Sequence, residues 1–260
     1  MRGSRIVFML ILIVVVVAGG GVAGFMAARS KTDTPFEIKP GLSGVRSGGG
    51  IYLYAARTGE SVTLFDTGAD PHGRPVDVLL SAVGTDRDHV HDIFLSHGHF
   101  DHIQGALTFT SAKTHLGQPD VGLAAGTTPP QAILTRMLTL AMRGAPLKIS
   151  DPISNRQTFP VGGGKSITAI PVSGHTPGSY AFLYDGVLFP GDMMAFKEGR
   201  LDVTPALFDA RPEENRAAIR SLKTQLVADT VDTVCTAHGG CTPRGLGRNL
   251  LDDLITRVGG

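Results

Sequence analysis

The sequence predicts an α/β body built of stacked layers, preceded by an apolar N-terminal segment. Three observations carry this reading. Strand-like and helical runs alternate from Gly50 onward in the order strand, helix, strand, the order that builds layered α/β domains. Glycine supplies 34 of the 260 residues, against a usual share of about 7%, which favours many tight turns over a helical bundle. Several apolar runs also end abruptly in polar loops that carry histidine or aspartate.

From the N-terminus, Ile6 to Ala28 contains no charged residue, and roughly 20 apolar residues suffice to cross a bilayer. Arg2 and Arg5 precede it. The run is longer than the apolar core of a signal peptide and has no clean Ala-x-Ala site behind it, so an uncleaved anchor is favoured over a cleaved leader. Arg29 and Lys31 flank its far end and blunt the charge asymmetry that sets orientation. A short cytoplasmic arm and an extracytoplasmic body are expected, or a secreted or periplasmic body after cleavage. Residues 29–49, rich in Gly, Pro, Ser and charge, read as a tether, and residues 50–260 as the domain proper.

Within the domain, "GIYLYAAR" and "SVTLFDTG" read as paired strands around a "TGE" turn. "PVDVLLSAVG" has the spacing of an amphipathic helix, and "HVHDIFLS" reads as a buried strand. "PPQAILTRMLTLAMRG", Pro129 to Gly144, is an apolar helix that suits a core position, a lid or a membrane-facing surface. "KSITAIPVSG", "YAFLYDGVLFPGD" and "VDTVCTAHGG" are three further strand-like runs. "PEENRAAIRSLKTQL" starts as a helix should, with proline in its first turn and two glutamates at the positive end of the dipole. "RNLLDDLITRV" closes the chain as a helix. "GGGKS", Gly162 to Ser166, is a hairpin turn. A phosphate loop would need glycine where Phe159 stands and would open a helix.

The formal net charge of +1 gives no electrostatic reason to expect a nucleic acid partner. The absence of tryptophan argues against a sugar-stacking surface. Cys235 and Cys241 are the only cysteines. Cys235 sits in an apolar run, where it reads as a small packing residue. A disulfide across so tight a segment is disfavoured on geometry, and neither cysteine is read as a metal ligand.

"LSHGHFDH", Leu95 to His102, places three of the nine histidines and an aspartate within six positions. His97, His99, Asp101 and His102 follow a buried strand; His175 in "SGHTPGS", Asp192 in "FPGD" and His238 in "TAHGG" stand at other strand ends. Strand ends on one rim of an α/β body can converge on one site. Imidazole and carboxylate are ligands that zinc accepts without thiolates, and seven of them exceed one tetrahedral site but suit two ions. His72, His89, His91 and His115 lack such company and read as surface or outer-sphere residues.

On these motifs the chain resembles the metallo-β-lactamase superfamily. "HGHFDH" matches the signature H-x-H-x-D-H, and "GHTPGS", "PGD" and "AHGG" follow in the family's order. The resemblance implies a four-layer αβ/βα sandwich with metals at one edge. By motif, His97, His99 and His175 would hold one zinc ion, Asp101, His102 and His238 a second, with Asp192 bridging. Asp66 in "LFDTG" would orient ligand histidines from behind. It further implies a metal-dependent hydrolase with a metal-bridging hydroxide as nucleophile, and with Asp101 also moving a proton.

Fold and ligands do not name the substrate. In the family a bridging aspartate favours thioesterase-like, lactonase-like and nuclease-like members over true β-lactamases. The 22 residues after His238 do not suffice for the glutathione-binding extension of hydroxyacylglutathione hydrolases, and no basic groove for nucleic acid is visible. A small ester, lactone or thioester remains. The alternatives are iron-dependent oxidoreduction with the same ligands, true β-lactamase activity, or a non-catalytic metal-binding module. Oligomeric state is not legible.

Overall fold

The computed structural model of the protein describes residues 21, 23–25, 27–142 and 144–259. The chain first lays down a seven-stranded sheet in which spatial order equals chain order: β1 (Phe36–Lys39), β2 (Leu42–Arg46), β3 (Tyr52–Thr58), β4 (Ser61–Phe65), β5 (Val90–Phe94), β6 (Lys113–Gly117) and β7 (Asp151–Ile153). Strands β1 to β4 pair antiparallel through short turns, and β4 to β7 pair parallel. Parallel pairing demands a crossover, and α1 (Arg74–Ala82) supplies the first one, between β4 and β5. Pro75 opens this helix, and Val76, Leu79 and Leu80 form its buried stripe.

The second half continues through β8 (Gln157–Pro160), β9 (Ser166–Pro171), β10 (Tyr180–Tyr184) and β11 (Val187–Phe189), a two-stranded ribbon β12 (Met194–Lys197) and β13 (Arg200–Val203), then β14 (Thr233–Thr236) and β15 (Gly240–Cys241). The six-stranded sheet runs β15-β14-β11-β10-β9-β8. The two sheets share a core between their inner faces. Three helices complete the body: α2 (Ile133–Met142), α3 (Pro212–Gln225) and α4 (Gly247–Gly259).

Strand alternation builds the layers. On β3, Leu53 and Ala55 face the cluster under α1, while Tyr54 and Ala56 face the opposite sheet. On β10, Ala181 and Leu183 face α3 and α4, while Tyr180, Phe182 and Tyr184 face inward. The inner core is aromatic: Phe65 stacks on Phe189 at 4.1 Å, and Phe94 meets Phe182 edge-on at 5.2 Å. Each such buried ring contributes about 1.5–3 kcal/mol over an exposed one. Three apolar interfaces between four layers give the expected helix–sheet–sheet–helix sandwich.

Several expectations are corrected. Residues 36–46, inside the expected tether, are β1 and β2 and belong to the sheet. "YAFLYDGVLFPGD" is a hairpin, not one run: Asp185 and Gly186 both take positive φ and reverse the chain between β10 and β11. The helix expected from Pro129 begins at Ile133. His115 is buried on β6, not at the surface; it stacks on Phe94 at 4.3 Å and its Nε2 lies 2.7 Å from Asp92 Oδ1. Cys235 and Cys241 do form a disulfide: the β14–β15 hairpin sets them directly opposite each other, with Cα atoms 4.0 Å apart. The expected membrane span, Ile6 to Ala28, lies mostly outside the described residues, among which no helix is long and apolar enough to cross a membrane.

Candidate metal centre

Strand direction explains why distant motifs meet. Strand β10 is antiparallel to both β9 and β11, and β11 is parallel to β14, so β9, β11 and β14 all end at the same edge. His175 follows β9, Asp192 follows β11 and His238 follows β14. From the other sheet, β5 delivers His97 and His99, and the one-turn helix Phe100–Ile103 carries Asp101 and His102. A hydrogen bond from Tyr180 N to Ser96 O, 2.8 Å, joins the sheets at this edge.

All seven residues converge. His97 Nε2 and His175 Nε2 lie 2.8 Å and 3.1 Å from His99 Nδ1. Asp192 Oδ2 sits 4.0 Å from His97 Nε2, 3.6 Å from His175 Nε2, 3.5 Å from His102 Nε2 and 3.3 Å from His238 Nε2. Asp101 Oδ2 is 3.9 Å from His102 Nε2. The side chains thus fall into three groups with ligand geometry: His97, His99 and His175; His97, His102 and Asp192; and Asp101, His102 and His238.

Partners behind the site fix which nitrogen faces inward. Ser96 Oγ donates to Asp66 Oδ2 and so accepts from His97 Nδ1, leaving the Nε2 lone pair toward the site. His102 Nδ1 donates to Asp66 Oδ2, 2.9 Å, and His175 Nδ1 to Asp209 Oδ1, 2.9 Å. Asp66 itself takes a positive φ at the end of β4, which turns its carboxylate under the histidines. Carboxylate support of this kind fixes tautomer and raises ligand basicity.

Sequence reasoning missed three of these supports. Asp209 bonds His175 and accepts from Asn215 Nδ2, which also bonds Met193 O beside Asp192. Asp120, fully buried, accepts from Gly98 N, Gly178 N and Thr176 Oγ1 and so ties the two histidine loops together. Ser96 is the third. Asp120 and Asp209 stand in no local motif, and Ser96, although it lies inside "LSHGHFDH", shows its role only once folded. Gly174, at φ 143°, also has a spatial reason: a Cβ there would lie 2.1 Å from Asn215 N.

The residues fit divalent metal. Ring nitrogens of His97, His99 and His175 face one another at hydrogen-bond distance; His97 and His175 both present lone pairs, and the single His99 Nδ1 cannot satisfy both. His102 Nε2 and Asp192 Oδ1 are buried without a hydrogen-bond partner, which proteins otherwise avoid. Burial, and then the neighbouring imidazoles, hold His97 and His99 well below the usual histidine range. Burial works against ionised Asp192, yet His238 and His102 outweigh it and hold the carboxyl well below its usual range. Burial likewise opposes charge on His102, but Asp192, Asp66 and Asp101 raise it well above the usual value. Neutral His97 and His99 and ionised Asp192 are in the forms that metals bind, whereas His102, held protonated by its carboxylates, would release its proton to a metal.

The sequence matches the family described as "Metallo-beta-lactamase superfamily" over residues 46–238. The chain belongs to that superfamily. Uncharacterized protein YobT of Bacillus subtilis (strain 168) is 30% identical over 161 residues, 57% of this chain and 64% of that protein, so the chain spans less than two thirds of this relative. Among solved superfamily structures, BJP-1, a subclass B3 metallo-beta-lactamase of Bradyrhizobium japonicum, aligns with a TM-score of 0.64 at 19% identity over 89% of this chain and 94% of its own. The class B3 di-zinc metallo-beta-lactamase LRA-12 from an Alaskan soil metagenome aligns at 0.66 and 17%, over 90% and 94%. These likenesses show the superfamily fold.

Proposed function

We propose that the protein is a dinuclear zinc hydrolase of carboxylic esters, lactones or thioesters, held at a membrane by Ile6 to Ala28 with its body outside the cytoplasm. The position of Asp192 carries the reading: its Oδ2 lies within 4.0 Å of ring nitrogens from both histidine groups, the place from which one carboxylate reaches two ions. His97, His99 and His175 would hold the first ion, and Asp101, His102 and His238 the second. When bound, zinc supplies Lewis acidity and lowers the pKa of its water toward 7. The chain supplies the rest. Asp66 and Asp209 keep Nε2 of His102 and of His175 aimed inward, and Asp101, 3.9 Å from His102 Nε2, would accept a proton at its carboxylate.

No thiolate competes as ligand, because both cysteines are in the disulfide. A cavity of about 280 Å³ opens above the site, floored by His99, His175, Asp192 and His238 and walled mainly by apolar side chains. Such walls suit an acyl group better than a charged nucleotide. True β-lactamase activity is the second reading, favoured by the names of the structural neighbours and disfavoured by an aspartate in the bridging position. The test is metal content of the purified full chain together with a panel of ester, lactone, thioester and β-lactam substrates. Two zinc ions and turnover of the first three classes are expected. Preferential β-lactam turnover would favour the second reading, and coloured, redox-active iron without hydrolysis would sink both.

A further inference from the structure

The cavity above the metal residues is bounded by three segments that share an unusual surface. Helix α2 lines it with Thr135, Leu138 and Met142. On the opposite face of the same helix Ile133, Met137 and Leu140 are 77%, 63% and 71% exposed, an i, i+4, i+7 stripe pointing away from the protein. A helix apolar on both faces belongs against a second apolar phase. Its one charge is Arg136, a residue that can reach along such a surface to lipid headgroups. The second segment lines the cavity with Pro205 and Phe208 and exposes Leu207 at 64%. Four of the seven large apolar side chains exposed among the described residues lie on these two segments.

The third segment gives the direction. Phe25 lines the cavity and meets Phe100 edge-on at 6.1 Å. It lies three residues before the end of the uncharged run Ile6 to Ala28. The chain between Phe25 and the sheet is short and held down: Asp33 N bonds Arg46 O, and Gly48 N bonds Lys31 O. The described end of the apolar run, at Phe25, therefore stands at the cavity itself.

We propose that the mouth of this cavity sits on the lipid bilayer, with Ile133, Met137, Leu140 and Leu207 inserted, and that the site takes a long-chain acyl ester directly from the membrane interface. The chemical half rests on the proposed hydrolase function; the docking half does not. Water would add to the acyl carbon, the acyl C–O bond would break, and the alcohol would leave with a proton while the fatty acid is released. At about 280 Å³ the cavity is near the lower end for drug-sized ligands, about 300–1,000 Å³. It accommodates the ester and the start of a chain whose remainder stays in lipid.

The experiment uses the full chain in unilamellar vesicles of phosphatidylcholine and phosphatidylglycerol. Leu140→Cys and, for comparison, Val227→Cys, which is 82% exposed on another part of the surface, are labelled with an environment-sensitive dye. The native cysteines are tied in their disulfide. Bromine-labelled acyl chains should quench the dye at 140 and not at 227. Equal behaviour at both positions, with the protein in the vesicles, overturns the docking; failure to sediment with vesicles overturns docking and anchor together. In parallel, the triple variant Ile133→Ser, Met137→Ser, Leu140→Ser should lose at least about tenfold in hydrolysis of a vesicle-borne long-chain nitrophenyl ester and stay within about twofold on a short, water-soluble one. Loss on neither or equally on both overturns the substrate assignment. If the parent chain cleaves neither ester, the hydrolase reading has failed, and the quenching result still decides the docking.

Discussion

Asp192 and Asp209 are both buried carboxylates at one site, yet their contacts predict different losses. Asp192 faces four ring nitrogens and makes no hydrogen bond through Oδ1. Among the described residues, its carboxylate is the one within 4.0 Å of ring nitrogens from both histidine groups. Asp192→Ala should release one ion or let both weaken, and hydrolysis should fall by about 10²-fold or more, the scale of losing one strong electrostatic stabiliser. The fold should persist, since the residue stands in a one-turn 3₁₀ helix after β11. Metal stoichiometry measured beside rate checks this; two ions and full rate would leave Asp192 a plain turn residue. Asp209 touches no inward nitrogen and acts by holding His175 through Nδ1. Asp209→Ala should weaken metal affinity or activity by about 10–100-fold, the usual scale for such supports. Asp209→Asn should recover part of it, because an amide oxygen still accepts from Nδ1. Equal loss in both variants would mean the charge matters more than the orientation.

At the scale of elements, the β14–β15 hairpin joins a metal residue to a covalent tie. His238 stands in its turn, and the Cys235–Cys241 disulfide closes the two strands around it. Replacing both cysteines with serine should lower stability by about 2 kcal/mol, the order expected for so short a loop. Calorimetry should show a lower Tm, while zinc titration still finds two ions, because neither sulfur is a ligand. Loss of an ion in that variant would show that His238 depends on the tie. What the sequence did and did not disclose follows the same division. The histidine motifs were legible because their chemistry is local and dense, and α1, α3 and α4 because their apolar stripes are periodic. Strands β1 and β2 were hidden among Gly, Pro and Ser, since their place depends on pairing with β3 rather than on their own composition. The disulfide was hidden because it follows from strand register, and Asp120 and Asp209 because a single buried aspartate has no local signature. The Asp185–Gly186 turn carried a recognisable hairpin signal that the continuous apolar run around it obscured.

The whole molecule is two sheets with a shared aromatic core, and its seven candidate ligands are divided between them. His97, His99, Asp101 and His102 hang from the seven-stranded sheet, while His175, Asp192 and His238 hang from the six-stranded one. Besides the core, polar contacts join the halves at this edge: Asp120 bonds Gly98 on one side and Thr176 and Gly178 on the other, Tyr180 N donates to Ser96 O, and Tyr52 N donates to Ala237 O. Bound metal would therefore act as a cross-link between sheets as well as a cofactor. Ligand binding to the native state alone stabilises it by an amount that grows with free ligand over Kd, about 2.7 kcal/mol at a hundredfold excess. For a chain of this size each kcal/mol moves Tm by about 2–4 °C. Chelation of the full-length protein in detergent or vesicles should thus lower Tm by about 5–10 °C, and added zinc should restore it in a concentration-dependent way. Asp192→Ala should show a smaller shift than the parent, because it binds fewer ions across the gap. The measurement is a thermal melt with zinc content determined at each step. If chelation removes the metal and activity while Tm stays where it was, the metal residues are not joining the sheets, and the core with the Asp120 and backbone hydrogen bonds holds this edge together.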